Sequence, residues 1–249
     1  MVDALLQKGS FPVHSYEVDA TGVLAPAALV GYLIEVAGVH ATHLGCGIDS
    51  MFERGFTWVL SRMRVAIERP VVVGEVLSLE TWPSGTERLF ALRDFRVTDA
   101  HGTIVAKATS QWLVLSLETR RAVWPDEAIG PGFREAGARV FEEPFIKLPP
   151  LASADQERRF DTRYQDIDRN LHVTSTSYVA WALEAIPLET WRSSRLTFLE
   201  VHYMNECHHP STVLSRAKNV AEGRFQHAVV READGVDVAR LTTQWAVRE

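Results

Sequence analysis

Residues 102–112 read GTIVAKATSQW, and residues 235–245 read GVDVARLTTQW. Gly102 and Gly235, Ala106 and Ala239, Lys107 and Arg240, Thr109 and Thr242, Gln111 and Gln244, and Trp112 and Trp245 share one offset of 133 residues. A second correspondence lies upstream. Asp19 and Glu35 are separated by the same interval as Asp168 and Glu184, and an apolar helix candidate fills each interval, here at an offset of 149 residues. Phe11 and Tyr16 ahead of the first are echoed by Phe160 and Tyr164. Self-similarity of this kind predicts two copies of one module, the second shortened in its loops.

Each copy has the same predicted order. A strand (His14–Val18, then Arg159–Tyr164) precedes a helix (Pro26–Ala41, then Ser175–Ile186). Four strands follow, at Thr57–Glu68, Glu75–Thr81, Leu89–Thr98 and Thr103–Leu117 in the first copy. In the second they fall at Arg195–Met204, Val213–Val220, Phe225–Glu232 and Val236–Val247, separated by turn residues such as Asp234-Gly235. Residues 125–157 carry Pro125, Pro131, Pro144, Pro149 and Pro150, a linker composition. The expected organisation is therefore an N-terminal module 1–124, a linker 125–157 and a C-terminal module 158–249.

In Tyr178-Val-Ala-Trp181-Ala-Leu183-Glu184-Ala-Ile186 apolar side chains occupy nearly the whole helix circumference. Such a helix must be buried on most sides. A single helix wrapped by an antiparallel sheet meets that demand, so the expected class is α+β and the expected architecture a double hotdog.

Hydrophobic residues make up 46% of the 249 and charged residues 23%, as in ordinary globular proteins. A net charge of −6 speaks against nucleic acid as a partner, because neutralising phosphates takes a basic surface. The two cysteines, Cys46 and Cys207, are too few for a disulfide framework and point to a reducing compartment. The first ten residues carry no basic segment followed by an apolar one, and no run approaches the length of a membrane span. A cytoplasmic protein is expected.

The candidate chemistry sits ahead of the second helix, in DIDRNLHVTSTSYVAWALEAIP, residues 166–187. Asp, Asn, Thr and Ser are helix-capping residues, and Thr174 or Ser175 could cap this helix with no catalysis involved. The repeat supplies a control. Positions matching Asp168, Asn170 and His172 in the first copy are Asp19, Thr21 and Val23, so the scaffold needs neither the Asn nor the His. A histidine ahead of a helix N-terminus stands where backbone N–H groups can stabilise an oxyanion. Asn170 could donate to the same oxygen or orient the imidazole, and Asp168 could accept from the ring and fix its tautomer.

Glu206-Cys207 ends the strand from Leu196. Successive strand residues face opposite sides, and Cys207 falls in register with Leu199, Val201 and Tyr203, the core side. A buried cysteine is more often a small hydrophobe than a nucleophile. Glu206 could activate a water or attack a carbonyl directly. Two clusters of soft ligands, Cys207-His208-His209 and His40-x-x-His43-x-x-Cys46, lack a second pair at zinc-finger spacing, and adjacent residues rarely ligate one ion, so neither a metal nor another cofactor is expected. Glu35 and Glu184 occur in both copies and read as structural, snorkelling or paired with an arginine such as Arg62 or Arg64. The two Gln-Trp pairs likewise read as architecture. No G-x-S-x-G elbow, Walker loop or dinucleotide fingerprint occurs.

Asp168-x-Asn170-x-His172-Val173 with Tyr178, Trp181, Leu183-Glu184 and Pro187 resembles the acyl-acyl carrier protein (acyl-ACP) thioesterases, the plant-type fatty acyl-ACP thioesterases and their bacterial relatives. Leu199-Glu200 through Asn205-Glu206-Cys207 resembles that family's Glu-Cys strand end. In the first half Trp58-Val59-x-x-Arg62-Met63, Gly74-Glu75-Val76, Glu80-Thr81-Trp82, Arg93-Asp94 and Thr119-Arg120-Arg121 resemble its N-terminal module. The resemblance runs from Phe11 to Trp245. It implies a double hotdog that hydrolyses the thioester joining a fatty acyl chain to the phosphopantetheine of acyl carrier protein. The matching catalytic positions are Asp168, Asn170, His172 and Glu206, while Cys207 matches a cysteine read as a papain-like nucleophile. Plant members begin with a plastid transit peptide, which is not seen here, so a bacterial-type cytoplasmic enzyme is expected. An acyl-CoA thioesterase and a non-catalytic acyl-chain-binding hotdog are the alternatives. A homodimer is compatible with the fold, although one chain already supplies two hotdogs.

Overall fold

Glu17 and Asp166 decide where the first strand of each module ends. Glu17 Oε2 accepts from the backbone N–H of His14 at 2.9 Å, and Asp166 Oδ2 accepts from that of Arg163 at 2.7 Å. Each carboxylate takes a donor that a strand ladder would need and closes a turn instead. The strands expected at His14–Val18 and Arg159–Tyr164 accordingly lie earlier, at Gln7–Pro12 and Gln156–Asp161.

A computed structural model describes residues 5–129 and 137–248. Its chain contacts group into two units, Met1–Pro144 and Phe145–Glu249. The first contains β1 (Gln7–Pro12), α1 (Pro26–His43), α2 (Ile48–Glu53), β2 (Phe56–Ile67), β3 (Val76–Glu87), β4 (Phe90–Thr98), β5 (Ile104–Ser116), β6 (Ala122–Val123) and α3 (Pro125–Ile129). The second contains β7 (Gln156–Asp161), a single 3₁₀ turn at Tyr164–Asp166, α4 (Ser175–Glu184), α5 (Leu188–Ser193), β8 (Ser194–Tyr203), β9 (Thr212–Ala221), β10 (Arg224–Arg231) and β11 (Val236–Val247). Of the linker expected at 125–157, residues 130–136 lie outside the described residues, Pro125–Ile129 forms α3, and Gln156 opens β7.

Strand order states the duplication directly. The first unit pairs its strands antiparallel as β1-β3-β4-β5-β2, with β6 on β5. The second pairs β7-β9-β10-β11-β8, the same order strand for strand. Each long helix lies against strands of its own unit, α1 on β1 and β3, α4 on β9 and β10. Leu29, Val30, Leu33, Val36 and Ala37 of α1 are buried, as are Val179, Trp181, Ala182 and Leu183 of α4. This is the α+β double-hotdog arrangement.

The helices are not enclosed on every side, however. Glu35 and Glu184 are exposed and mark an open arc on each helix. Arg62 Nη1 donates to Gln111 Oε1 at 3.1 Å, joining β2 to β5, and Arg64 Nη1 donates to the Glu143 carbonyl at 3.1 Å, so these bonds lead away from Glu35. The Gln-Trp repeats are architecture. Trp112 Nε1 donates to Ser110 Oγ at 2.7 Å, and Trp245 Nε1 makes the equivalent bond to Thr243 Oγ1 at 3.1 Å. Thr243 Oγ1 also lies 2.9 Å from His227 Nε2, and His227 Nδ1 lies 3.1 Å from the Ala182 carbonyl, which ties α4 to β10 and β11.

Candidate active site

The loop ahead of α4 is a copy of the loop ahead of α1. Asp168 Oδ1 accepts from the backbone N–H groups of Asn170 (2.8 Å) and His172 (3.3 Å), while the N–H of Asp168 donates to the His172 carbonyl (2.8 Å). In the first unit Asp19 Oδ1 accepts from Thr21 (2.8 Å) and Val23 (3.2 Å), and Asp19 N–H donates to the Val23 carbonyl (2.8 Å). Asp168 is thus committed to the backbone as an Asx turn. It shapes the loop, and the imidazole of His172 faces other partners.

The turn requires one left-handed residue. Gly22 fills that place in the first copy with φ +78°, and Leu171 fills it in the second with φ +62°. A non-glycine residue there costs about 1–2 kcal/mol, and such strain concentrates at functional loops. Leu171 is largely exposed, so its side chain contributes little packing. Leu171→Gly is expected to raise stability by about 0.5–1 kcal/mol, the strain relieved less the entropy glycine adds to the unfolded chain. Urea denaturation at neutral pH measures it, and an unchanged or lower midpoint counts against the strain.

The second half of the site follows β8. Met204 N–H and Asn205 Nδ2 donate to the Val238 and Asp237 carbonyls at 2.9 and 2.8 Å and end the strand. Arg231, braced by Asp234 at 2.6 Å, donates to the Glu206 carbonyl at 2.7 Å. Val173 N–H then donates to the Cys207 carbonyl at 2.8 Å, which brings this segment against the Asp168 loop. As a result His172 Nε2 stands 3.5 Å from Glu206 Oε2. That is slightly longer than a hydrogen bond, and such catalytic contacts often tighten only around substrate. Both side chains are partly exposed, 29% and 38%.

Cys207 turns the other way. It is fully buried, on the core side as expected, although β8 ends at Tyr203 and no strand register reaches it, and burial pushes its thiol pKa up. Such a thiol is poor in the thiolate that nucleophilic attack needs. The Asn170 side-chain oxygen is buried without a hydrogen-bond partner among the described residues. A half-turn of the amide exchanges its oxygen for its NH2, so the position offers a substrate an acceptor or a donor. The hydroxyl cap expected from Thr174 or Ser175 is not formed; Thr174 is the N-cap but its side chain caps nothing. Tyr178 and Tyr203 pack edge to face at 5.9 Å beneath the start of α4.

The first copy keeps the frame without the matching ionisable side chains. Leu24 N–H donates to the Val71 carbonyl at 2.8 Å, the bond Val173 makes to Cys207. By that correspondence Pro70, Val71 and Val72 stand for Glu206, Cys207 and His208, and Val23, which bridges Val72, stands for His172.

The sequence argument did not place His208 in the site. Its ring meets that of His172 with centroids 4.8 Å apart, and its Nδ1 lies 3.2 Å from the Leu171 carbonyl. One donor atom from each of His172, Glu206 and His208 lies within 4.8 Å of the other two. The grouping differs from the adjacent triplet weighed in the sequence, because Cys207 is buried and His209 Nδ1 contacts the Thr162 carbonyl at 3.0 Å. The other cluster disperses too: His40 Nδ1 pairs with the buried Arg93 guanidinium at 2.9 Å, and His43 Nδ1 with Gln7 Oε1 at 2.8 Å.

Duplicated hotdog modules, with His172 and Glu206 in the second where the first has Val23 and Pro70, define a tandem-hotdog protein with an active-site candidate in its second module. Residues 5–129 match the model of the acyl-ACP thioesterase N-terminal domain, and residues 151–247 that of the C-terminal domain. The chain belongs to the acyl-ACP thioesterase family. It is 30% identical over 262 residues to the chloroplastic acyl-[acyl-carrier-protein] hydrolase FATB2 of Cuphea viscosissima, an alignment covering 98% of this chain and 63% of that relative. The chain thus spans less than two thirds of that relative's length. It is also 30% identical over 260 residues to the chloroplastic dodecanoyl-[acyl-carrier-protein] hydrolase of Umbellularia californica, covering 97% and 68%. Among solved structures, the 12:0-ACP thioesterase of Umbellularia californica superposes with a TM-score of 0.87 at 28% identity, covering 98% of both chains. An acyl-ACP thioesterase of Bacteroides thetaiotaomicron superposes at 0.86 and 27% identity, covering 97% and 98%. Among the described residues no helix is long and apolar enough to cross a membrane.

Proposed function

We propose that this protein hydrolyses the thioester of fatty acyl-ACP and releases the free fatty acid and the carrier thiol. The observation that carries the reading is the 3.5 Å approach of His172 Nε2 to Glu206 Oε2, at positions where the first copy has Val23 and Pro70. Glu206, assisted by His172, takes a proton from water as the water oxygen bonds to the thioester carbon. Asn170 and the uncapped start of α4 stabilise the oxyanion. Collapse of the tetrahedral intermediate breaks the C–S bond, and the proton taken by Glu206 passes through His172, 3.5 Å away, to the departing pantetheine sulfur. Asp168 holds the loop in register through its backbone bonds. Two free, buried cysteines favour a reducing compartment, and we assign the protein to the cytoplasm.

The carrier is assigned from the names of the relatives, and an acyl-CoA thioesterase remains the competing reading. One acyl chain presented on ACP and on CoA separates them. The expected result is a kcat/KM at least tenfold higher on ACP, with free fatty acids from an acyl-ACP series identified by mass spectrometry. Equal or better turnover of the CoA thioester overturns the carrier assignment, and turnover of neither overturns the hydrolase reading.

A further inference from the structure

We propose that His172, Glu206 and His208 form a reversible binding site for a divalent transition cation of the zinc type, and that its occupation shuts off hydrolysis. The binding stands on geometry alone, whereas the inhibition rests on the hydrolase reading above.

Three features carry the site. First, the spacing is near what such an ion demands. Ligand bonds of about 2.0–2.1 Å in a tetrahedron put donor atoms about 3.4 Å apart. His172 Nε2 and Glu206 Oε2 already stand at 3.5 Å, and one ring nitrogen of His208 lies within 4.8 Å of a donor atom on each of the other two residues. His208 is exposed, so its ring can swing the remaining distance without disturbing a packed core. Second, the tautomer is suitable. His208 Nδ1, 3.2 Å from the Leu171 carbonyl, donates its proton there and leaves the lone pair on Nε2. A ligand histidine commonly gives its other N–H to a backbone carbonyl in this way. That carbonyl belongs to the loop carrying His172, so the anchor holds both imidazoles in one neighbourhood.

Third, the fold does not require these side chains. The equivalent places in the first copy hold Val23, Pro70 and Val72. Two neutral imidazoles and one carboxylate suit zinc, cobalt or nickel, whereas magnesium and calcium prefer all-oxygen shells. Cys207 is excluded as a fourth ligand by its burial, which leaves the remaining positions to water. A bound cation would hold the His172 lone pair and the Glu206 carboxylate, the two groups that must accept a proton from water. Occupation and turnover are therefore exclusive.

The test uses the full chain stripped with EDTA. Calorimetric titration with Zn2+ should give one ion per chain, and Co2+ should develop the visible absorption of a nitrogen- and oxygen-ligated site. Mg2+ should give neither. His208→Gln keeps a donor for the Leu171 carbonyl and removes the ligand, so it should weaken Zn2+ binding at least tenfold, and its own metal-free turnover is the reference for its inhibition. In the parent protein buffered Zn2+ should abolish hydrolysis, read as fatty acid by mass spectrometry because the product thiol itself binds zinc, and EDTA should restore it. His208→Gln should keep its activity at the same free Zn2+. Absent binding, or equal affinity in the variant, overturns the site. Turnover unaffected or raised by bound Zn2+ overturns the inhibition. A protein that binds Zn2+ at His208 but cleaves no acyl thioester overturns the hydrolase reading and leaves the site standing.

Discussion

Glu206→Gln is expected to lower kcat for acyl-ACP by about 10³-fold, the scale of a lost general base, with KM changed less than threefold. Glutamine has nearly the same volume and still hydrogen-bonds, but it cannot take a proton from water. Glu206 is partly exposed and its backbone is held through its carbonyl by Arg231, so the substitution spares the fold. Cys207→Ala gives the contrasting result, with kcat within about fivefold of the parent. Burial keeps the Cys207 thiol protonated and points it away from Glu206, so removing it costs packing more than chemistry. Steady-state assays and intact-protein mass spectrometry decide between them. An inactive Cys207→Ala, together with an acyl-enzyme in the parent, reverses the assignment of the nucleophile.

The second large effect is on stability. His227 is 2% exposed, and burial lowers its pKa to about 4. An unfolded histidine titrates near pH 6.5. Between pH 6.5 and 4 the unfolded chain therefore binds a proton that the native chain refuses, and native stability falls as the pH falls. Fully developed, the loss is about 3 kcal/mol. Neutral His227 bridges Thr243 Oγ1 and the Ala182 carbonyl, so charging it also leaves Thr243 facing an N–H in place of a lone pair. Asp166 and Glu75, whose pKa values their arginine partners help hold below the usual range, lose their contribution only at lower pH. His227→Gln, which can serve both partners uncharged, should flatten the dependence. Urea midpoints at pH 7, 5.5 and 4.5 test this, and parallel slopes for parent and variant refute it.

Much of the architecture is legible in the sequence because a duplicated chain carries its own comparison. Gly102–Trp112 against Gly235–Trp245 predicts equivalent strands, and β5 and β11 occupy equivalent places in the strand orders of the two units. Cys207 is buried as the alternation expected along the strand suggests, although β8 ends at Tyr203, short of it. Alternation also aligns His227 with Phe225 and Val229 on a buried face, a signal present in the sequence and not used. Other features depend on which atom a side chain chooses. Nothing in the residue type tells whether Asp168 spends its carboxylate on a ring or on two backbone N–H groups. The pairing of His208 with His172 rests on bonds between distant segments, Val173 N–H to the Cys207 carbonyl and His208 Nδ1 to the Leu171 carbonyl, and periodicity cannot see them. Nor could the even apolar coverage of α4 reveal which arc faces solvent, since Glu184 alone marks it.

The Asx turn shared by Asp19 and Asp168 separates two inheritances. Its bonds run from one carboxylate to the backbone and involve no side chain at positions 21 and 23 or 170 and 172 other than the Thr21 hydroxyl. Residues at those positions can change without asking the loop to refold. After a duplication, one copy can therefore drift toward a purely mechanical role while its twin keeps a reactive set. The same arrangement makes the first copy's loop a ready site for transplanting new side chains.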